Sequence, residues 1–332
     1  MKSQAEIRLK LIAALVALGC GIGAIVAVYS LYQVTPAATS VPPASPAAAP
    51  APSVGSTQSV YTSSFPTPPH GALVLAREDR DLAVGLAVSR RSGGLGLQAS
   101  ILGPDQPANG LSVSFDSGGS SVSAKPCGAG CYAASLSGAS SHVVSVHIHG
   151  PNRPTSSVAF TLPASVPGPS AAALVRRAAT TWRRLKTLVD HDRLSSGPGA
   201  TIHTVWQFQA LYRYTYVIRN GPQAVSIGTR RWDRLPGQRW QESQQDPIRQ
   251  PIPLWQGVSN AHLLGTSTLR GRPVVRASFF DPQLHAWFTI VVDQAAMHTL
   301  DLHMTATAHF MHEVYGPFDS PLRIVPPTRA PA

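Results

Sequence analysis

A long alternation of apolar and polar residues near the C-terminus constrains the fold of this chain most strongly. The stretch from Arg272 to Gly316 divides into three antiparallel strands, joined by short turns at Asp281–Gln283 and Gln294–Ala296. The third strand is predicted to run from Met297 to about Phe310, with one apolar and one polar face. The apolar face carries Leu300, Leu302, Met304, Ala306, Ala308 and Phe310, and the polar face carries Asp301, His303, Thr305, Thr307 and His309. Such an apolar face needs a cover.

An amphipathic helix upstream is predicted to provide that cover. Ser170 is a suitable N-cap, and several basic residues lie away from the apolar stripe. Strand and turn segments follow the helix, including a strong hairpin signal at Asn220-Gly221. We therefore predict that residues 168–328 form a curved antiparallel sheet, or half-barrel, wrapped around one helix. The apolar stripe consists of Leu174, Ala178, Trp182, Leu185 and Val189.

Residues 71–165 have a different pattern. Eight short strand-like segments recur about every ten residues, with Gly, Pro, Asn and Asp between them, and no helical period occurs. This spacing is typical of an immunoglobulin-like β-sandwich. The expected fold class is mostly β, with an all-β part followed by an α+β part.

The N-terminal region is predicted to place both parts outside the cytoplasm. Residues 1–10 form a short basic segment that is expected to be cytoplasmic, and residues 11–32 carry no charge. A helix of that length spans about 33 Å, enough to cross a hydrocarbon core of about 30 Å as a single-pass anchor. Signal-peptide cleavage and lipidation at Cys20 stay open as alternatives. Residues 33–69 are rich in Pro, Ala and Ser and are expected to form a disordered linker.

The net charge of +11 is concentrated in the C-terminal part, where residues 166–332 carry about +8. A basic surface favours anionic partners, here a lipid headgroup or a cell-wall polymer, although solvated arginines account for it equally well. No nucleic-acid motif is present, and we expect no nucleic acid as a partner. Phosphate-binding, dinucleotide and G-x-S-x-G motifs are also absent from the sequence, so an enzyme is not expected. Asp190-His191-Asp192 is interpreted as the solvated end of the helix.

The order of elements in residues 170–325 resembles the LolA-like half-barrel family. That family carries lipid or lipoprotein acyl chains under a helical lid, so the resemblance implies a carrier or sensor of a hydrophobic ligand. A core filled by the protein's own side chains is the alternative. The residues expected to line the space between helix and sheet are Trp182, Trp206, Phe208, Leu300, Leu302 and Phe310.

A second resemblance is to the C-terminal extracytoplasmic region of actinobacterial copper-resistance proteins of the CopC/CopD fusion type. The segments that carry it are Val225–Trp240, Phe279–Pro282, Ala286–Phe288 and Met304–Met311. In those proteins the region follows a YtkA-like immunoglobulin-type domain, to which Leu82–Leu86 and Cys127–Tyr132 are similar. The multi-helix CopD membrane part has no counterpart in this sequence. The resemblance implies an accessory role in copper handling, beside a copper-transport membrane protein.

Three groups of residues are candidates for disulfide or metal chemistry. Cys127 and Cys131 are expected to form a disulfide, with a copper-thiolate pair or redox exchange as alternatives. His147 and His149 share one face of a strand. They could coordinate a Zn or Cu ion together with a third ligand, or they could simply be exposed polar residues. His309 and Met311, with the neighbouring His312, form the second candidate copper site.

Overall fold

The computed structural model describes residues 65–138, 141–151 and 153–328. These residues contain one helix and twenty strands, and every strand pair is antiparallel, which confirms the mostly β prediction. No helix within the described ranges is long and apolar enough to cross a membrane. The predicted anchor, and the predicted linker as far as residue 64, lie outside these ranges.

The strands fall into two sequence blocks separated by helix α1, Ala172–Trp182. Strands β1 to β9 are Leu73–Asp79, Leu82–Arg91, Gly94–Leu102, Ser112–Ser117, Ser120–Ser123, Lys125–Gly128, Cys131–Ser137, Val143–Gly150 and Arg153–Thr161. Strands β10 to β20 are Thr187–Ser195, Thr201–Gln209, Arg213–Ile218, Gln223–Ile227, Arg230–Arg234, Gln241–Gln244, Ser259–Leu269, Arg272–Asp281, Ala286–Asp293, Thr299–Ala306 and His309–Phe318.

The first block forms two sheets that share a core. A five-stranded sheet has the order β1-β2-β3-β7-β6, and a four-stranded sheet has the order β5-β4-β8-β9. Alternate residues of both sheets point into one buried apolar cluster that includes Leu86, Ile101, Phe115, Val146 and Phe160. The two sheets therefore pack face to face as a β-sandwich.

The second block forms one eleven-stranded sheet. Strands β10 to β15 extend in one direction and β20 back to β16 in the other, so the two wings meet where β10 pairs with β20. At that junction Asp192 lies opposite Glu313, and Asp190 lies opposite Tyr315. The junction brings side chains that are more than 120 residues apart onto one face.

Helix α1 is shorter than predicted. It ends at Trp182, and Val189 lies on strand β10 instead of continuing the helical stripe. The alternation along β10 was hidden because its buried positions include Asp190 and Asp192 beside Leu188 and Leu194. Acidic side chains at inward positions break the apolar pattern by which a strand is recognised.

The predicted third strand is in fact two strands. Strand β19 ends at Ala306, Thr307 and Ala308 form a two-residue turn, and β20 begins at His309. Ala308 has a φ of 57°, in the left-handed region that glycine or asparagine usually occupies in such turns. Because the turn contains neither residue, no local signal divides the strand here.

The sandwich packs directly on one face of the eleven-stranded sheet. Strand β2 directs its larger residues into the sandwich core, whereas the small residues Ala83, Gly85 and Ala87 face Trp287. A Cβ atom at Gly85 would lie 2.5 Å from two ring carbons of Trp287, so only glycine allows this approach. The contact explains why every residue from Leu82 to Val88 is buried.

The last residues of the predicted linker are part of this folded body. Phe65 packs against the cluster that contains Trp287, and the carbonyl oxygen of Thr67 accepts a hydrogen bond from Gln98 at 3.0 Å. The carbonyl oxygen of Pro69 accepts one from Asn260 at 2.6 Å. The prediction of disorder was therefore wrong for residues 65–69.

Candidate functional site

The eleven-stranded sheet has an inner face, which helix α1 covers, and an outer face turned away from it. Trp182 of the helix contacts Tyr315 edge to face, with ring centroids 4.6 Å apart, and this contact identifies the inner face. Trp182 also contacts Trp255, at 5.9 Å, and Trp255 in turn packs on Phe279. Trp255 belongs to the segment between β15 and β16, so this segment covers the inner face together with the helix.

A second aromatic group extends the inner face along β11 and β12. Trp206 and Phe208 are stacked with centroids 6.0 Å apart, and Tyr216 lies 4.9 Å from Trp206. Tyr214, directly opposite Phe208, is almost fully buried. Aromatic side chains thus cover the inner face from the helix to the wing of β12.

Five of the six predicted lining residues lie buried on this inner face. Trp182, Trp206 and Phe208 belong to the aromatic groups, and Leu302 lies opposite Glu313 with Leu300 two residues away on the same side. Phe310 lies on the outer face instead, in the cluster that packs against the sandwich. The missed turn at Thr307–Ala308 explains this difference, because it separates Phe310 from the alternation of β19.

Three carboxyl groups are buried among these apolar side chains. Asp190, Asp192 and Glu313 are 5%, 3% and 2% exposed, on the two strands that join the wings of the sheet. Burial raises the pKa of Asp192 to about 7, against hydrogen bonding with Trp206 that lowers it. Burial and the negative charge of its neighbours raise the pKa of Asp190 and of Glu313 well above their ordinary ranges. Burial therefore favours the protonated form of these carboxyl groups.

Several polar atoms around the carboxyl cluster have no hydrogen-bond partner within the protein. They are Oδ1 of Asp190, Oδ1 of Asp192, Oε2 of Glu313, the hydroxyl of Tyr315, Oγ1 of Thr204 and Nε1 of Trp182. Buried polar groups in proteins are almost always hydrogen-bonded, because an unpaired group costs about 1–3 kcal/mol. Six such atoms on one covered face are available to buried water or to a bound polar group.

The opposite end of the inner face is polar and fully paired. Arg231 on β14 forms a bidentate ion pair with Asp233, in which both N–O distances are 2.8 Å. Arg231 also donates a hydrogen bond to the hydroxyl of Tyr216. Gln245, which begins the covering segment, donates to Ser226 at 2.7 Å. The polar atoms at this end have partners, in contrast to those beneath the helix.

The predicted disulfide between Cys127 and Cys131 is confirmed. It joins the end of β6 to the start of β7, across the turn that contains Gly130. With both thiols in a disulfide, this form of the protein offers no thiolate pair to copper.

The structure places the predicted metal ligands on two strands, β8 and β20. His147 and His149 lie on the outer side of β8, and Nδ1 of His149 is 3.0 Å from the hydroxyl of Thr155. His309 contacts the carbonyl oxygen of Thr307 at 3.0 Å, and burial lowers its pKa. Met311 lies opposite Met304 on the inner face. Metal binding by these four residues stays a prediction.

Sequence reasoning missed the carboxyl cluster and Trp255. The helical pattern places Asp190 and Asp192 at a solvated helix end, and the isolated Glu313 gives no reason to connect it with them. The two-residue spacing of Asp190 and Asp192, followed by Leu194, was the available signal, since it fits a strand with one buried face.

Comparison with known proteins finds similarity at the level of structure only. No protein-family model and no curated protein matches the chain. LprF from Mycobacterium bovis is 10% identical, covers 47% of this chain and 96% of its own length, and has a TM-score of 0.36. The Mycobacterium tuberculosis lipoprotein LppX is 10% identical, with coverages of 46% and 97% and a TM-score of 0.35.

A LolA superfamily protein from Nitrosomonas europaea is also similar. It is 12% identical, covers 48% of this chain and 96% of its own length, and has a TM-score of 0.22. With identities and scores this low, the function of this chain has to be inferred from its own geometry.

Proposed function

We propose that this chain is a non-enzymatic binding protein that holds a hydrophobic ligand, of the lipid or lipoprotein acyl type, between helix α1 and the eleven-stranded sheet. One observation carries the proposal. The covered inner face combines a broad aromatic lining with six buried polar atoms that lack partners. An amphiphile would give these atoms hydrogen bonds and bury its chain against the rings.

The protonated state of the carboxyl cluster narrows the polar part of the ligand. A neutral carboxyl group donates one hydrogen bond and also accepts, whereas an ionised one only accepts. Because burial raises the pKa of all three carboxyl groups, to about 7 for Asp192, the cluster suits an uncharged oxygen-bearing group such as an ester or a hydroxyl. A ligand of this kind keeps the face free of unpaired charge.

The proposal includes the expected location. We propose that residues 11–32 anchor the chain in the cell membrane, with its N-terminus cytoplasmic and residues 71–328 extracytoplasmic. The cysteine pair supports this location, since disulfides persist in oxidising compartments. The basic C-terminal part would then face anionic lipid or a cell-wall polymer. A YtkA-like, immunoglobulin-type identity of the sandwich and a role in copper handling remain expectations that rest on resemblance.

Quenching of tryptophan fluorescence by a brominated acyl lipid tests the proposal. The full-length chain in detergent is titrated with the brominated lipid and, separately, with its unbrominated counterpart. We expect strong quenching by the brominated form only, because Trp182, Trp206 and Trp255 line the covered face. Trp287 is the internal control, since it is buried on the outer face against the sandwich.

Tryptophan substitutions show which side chains are quenched. Replacing both Trp206 and Trp255 by Phe should remove most of the quenching, and Trp287→Phe should leave the quenched fraction unchanged or higher. Equal quenching in the two variants, or none in the wild type, would contradict binding beneath the helix and favour a self-filled core.

A further inference from the structure

A cluster of two histidines and one aspartate lies on the outer face of the eleven-stranded sheet. Asp301 and His303 are two residues apart on β19, so both side chains point to the same side. His312 on β20 lies directly opposite His303. The turn at Thr307–Ala308 creates this pairing, which is why the strand pattern alone did not indicate it.

The three side chains converge on a small volume. Nε2 of His312 lies 2.9 Å from Oδ2 of Asp301, and Nε2 of His303 lies 3.4 Å from Oδ1. The imidazole rings are stacked nearly parallel, with centroids 4.1 Å apart and planes 9° apart. One ligand atom from each residue falls within 4.8 Å of the other two, and no other three-residue His, Cys, Asp or Glu group in the described ranges does so.

The surroundings leave one side of this cluster open. The side chains of His303, His312 and Asp301 are 56%, 36% and 22% exposed. Beside His312 is an open hollow of about 470 Å³, which His191, His203 and other residues also line. The strands hold the three ligands on a paired backbone, while water or a small anion can reach the remaining coordination positions.

We propose that Asp301, His303 and His312 form a binding site for a divalent transition-metal ion of the Zn²⁺ and Cu²⁺ class. A donor set of imidazole nitrogen and carboxylate oxygen favours these ions over Mg²⁺ or Ca²⁺. Ligand atoms around a tetrahedral zinc ion lie roughly 3.3 Å apart, given Zn–N distances of about 2.0–2.1 Å. The observed separations need only small side-chain rotations to reach that arrangement. Three protein ligands leave at least one position open, as in sites where zinc or copper binds an exogenous group.

Calorimetric titration of the metal-stripped, full-length chain tests the site, with ZnCl₂, CuCl₂ and MgCl₂ as probes. We expect one equivalent of Zn²⁺ or Cu²⁺ to bind and Mg²⁺ to give no signal. His303→Asn and His312→Asn should each weaken Zn²⁺ binding by about tenfold or more, and Asp301→Asn should weaken it as well. His203→Asn is the matched control, because His203 lines the same hollow outside the cluster, and His147→Asn controls for the predicted site on the sandwich.

The visible absorption of bound Co²⁺ provides a second readout, which does not depend on the heat of binding. Bound Co²⁺ should give visible absorption bands in the wild type and in His203→Asn, and these bands should be absent from the double variant of His303 and His312. Equal Zn²⁺ affinity in the wild type and the cluster variants would overturn the proposal, as would loss of binding only in His147→Asn. Because the cluster lies on the outer face, these variants should leave acyl-lipid quenching unchanged, so the two proposals fail separately.

Discussion

The two faces of strands β10 and β20 carry polar side chains in opposite settings. Asp190 and Asp192 point inward and are buried, whereas His191 and Arg193, their immediate neighbours, are exposed on the outer face. On β20, Glu313 is buried and His312 is partly exposed. Polarity therefore does not determine which face of this sheet meets water. The covering elements determine it, because helix α1 and the Trp255 segment close the inner face and the sandwich covers only part of the outer one.

The largest expected difference in stability is between substitutions at adjacent residues on opposite faces of β11. Trp206→Ala should destabilise the protein by about 3–5 kcal/mol, because it removes a large buried ring from the aromatic group. Val205→Ala, one residue away and 36% exposed, should change stability by less than about 0.5 kcal/mol. Denaturant unfolding of both variants measures the difference. Similar losses would mean that the outer face at β11 is as closely packed as the inner one.

A smaller effect is expected where the outer face is covered by the sandwich. Gly85→Ala should cost about 1–3 kcal/mol, because the added Cβ meets the ring of Trp287 at 2.5 Å. The same change in a Trp287→Leu background should cost less, since the smaller side chain leaves room. A double-mutant cycle by thermal unfolding measures this coupling, and additive effects would exclude a direct clash.

The smallest of the three effects depends on pH. The unfolded Asp192 ionises near pH 3.8 and the folded one near pH 7, so the folded state binds more protons between these values and loses stability as the pH rises through them. Asp192→Asn removes that loss and should be stabilised relative to the wild type by roughly 2 kcal/mol on going from pH 5.5 to pH 8. His191→Asn, on the outer face, should not show this gain. Unfolding curves at both pH values make the comparison, and parallel pH profiles for wild type and Asp192→Asn would contradict a buried, protonated carboxyl.

Much of the architecture could be predicted from periodicity and turn chemistry. The faces of β19 were assigned correctly over Leu300 to Met304, where apolar and polar residues alternate without interruption. The hairpin at Asn220-Gly221 was found because these residues suit a tight turn, and strands β12 and β13 do flank it. One helix followed by antiparallel strands was also predicted.

The residues of greatest functional interest were the ones that periodicity missed. The carboxyl cluster breaks the hydrophobic pattern because it places charge-bearing groups at buried positions of β10, so this segment was interpreted as the end of a helix. The Asp301, His303 and His312 cluster depends on a turn at Thr307-Ala308 without glycine or asparagine. In the first case pairing between strands more than 120 residues apart overrides local preference, and in the second a local hairpin forms at residues that carry no turn signal.

The close contact between Gly85 and Trp287 also bears on whether the sandwich and the eleven-stranded sheet can exist as separate fragments. The patch around it includes Val74 on the sandwich and Phe280 and Phe310 on the large sheet, all nearly inaccessible to solvent. Cutting the polypeptide between the sandwich and helix α1 would expose both sides of this patch as flat apolar surfaces on β-strands. Such surfaces promote aggregation, so neither half is suited to an independent existence.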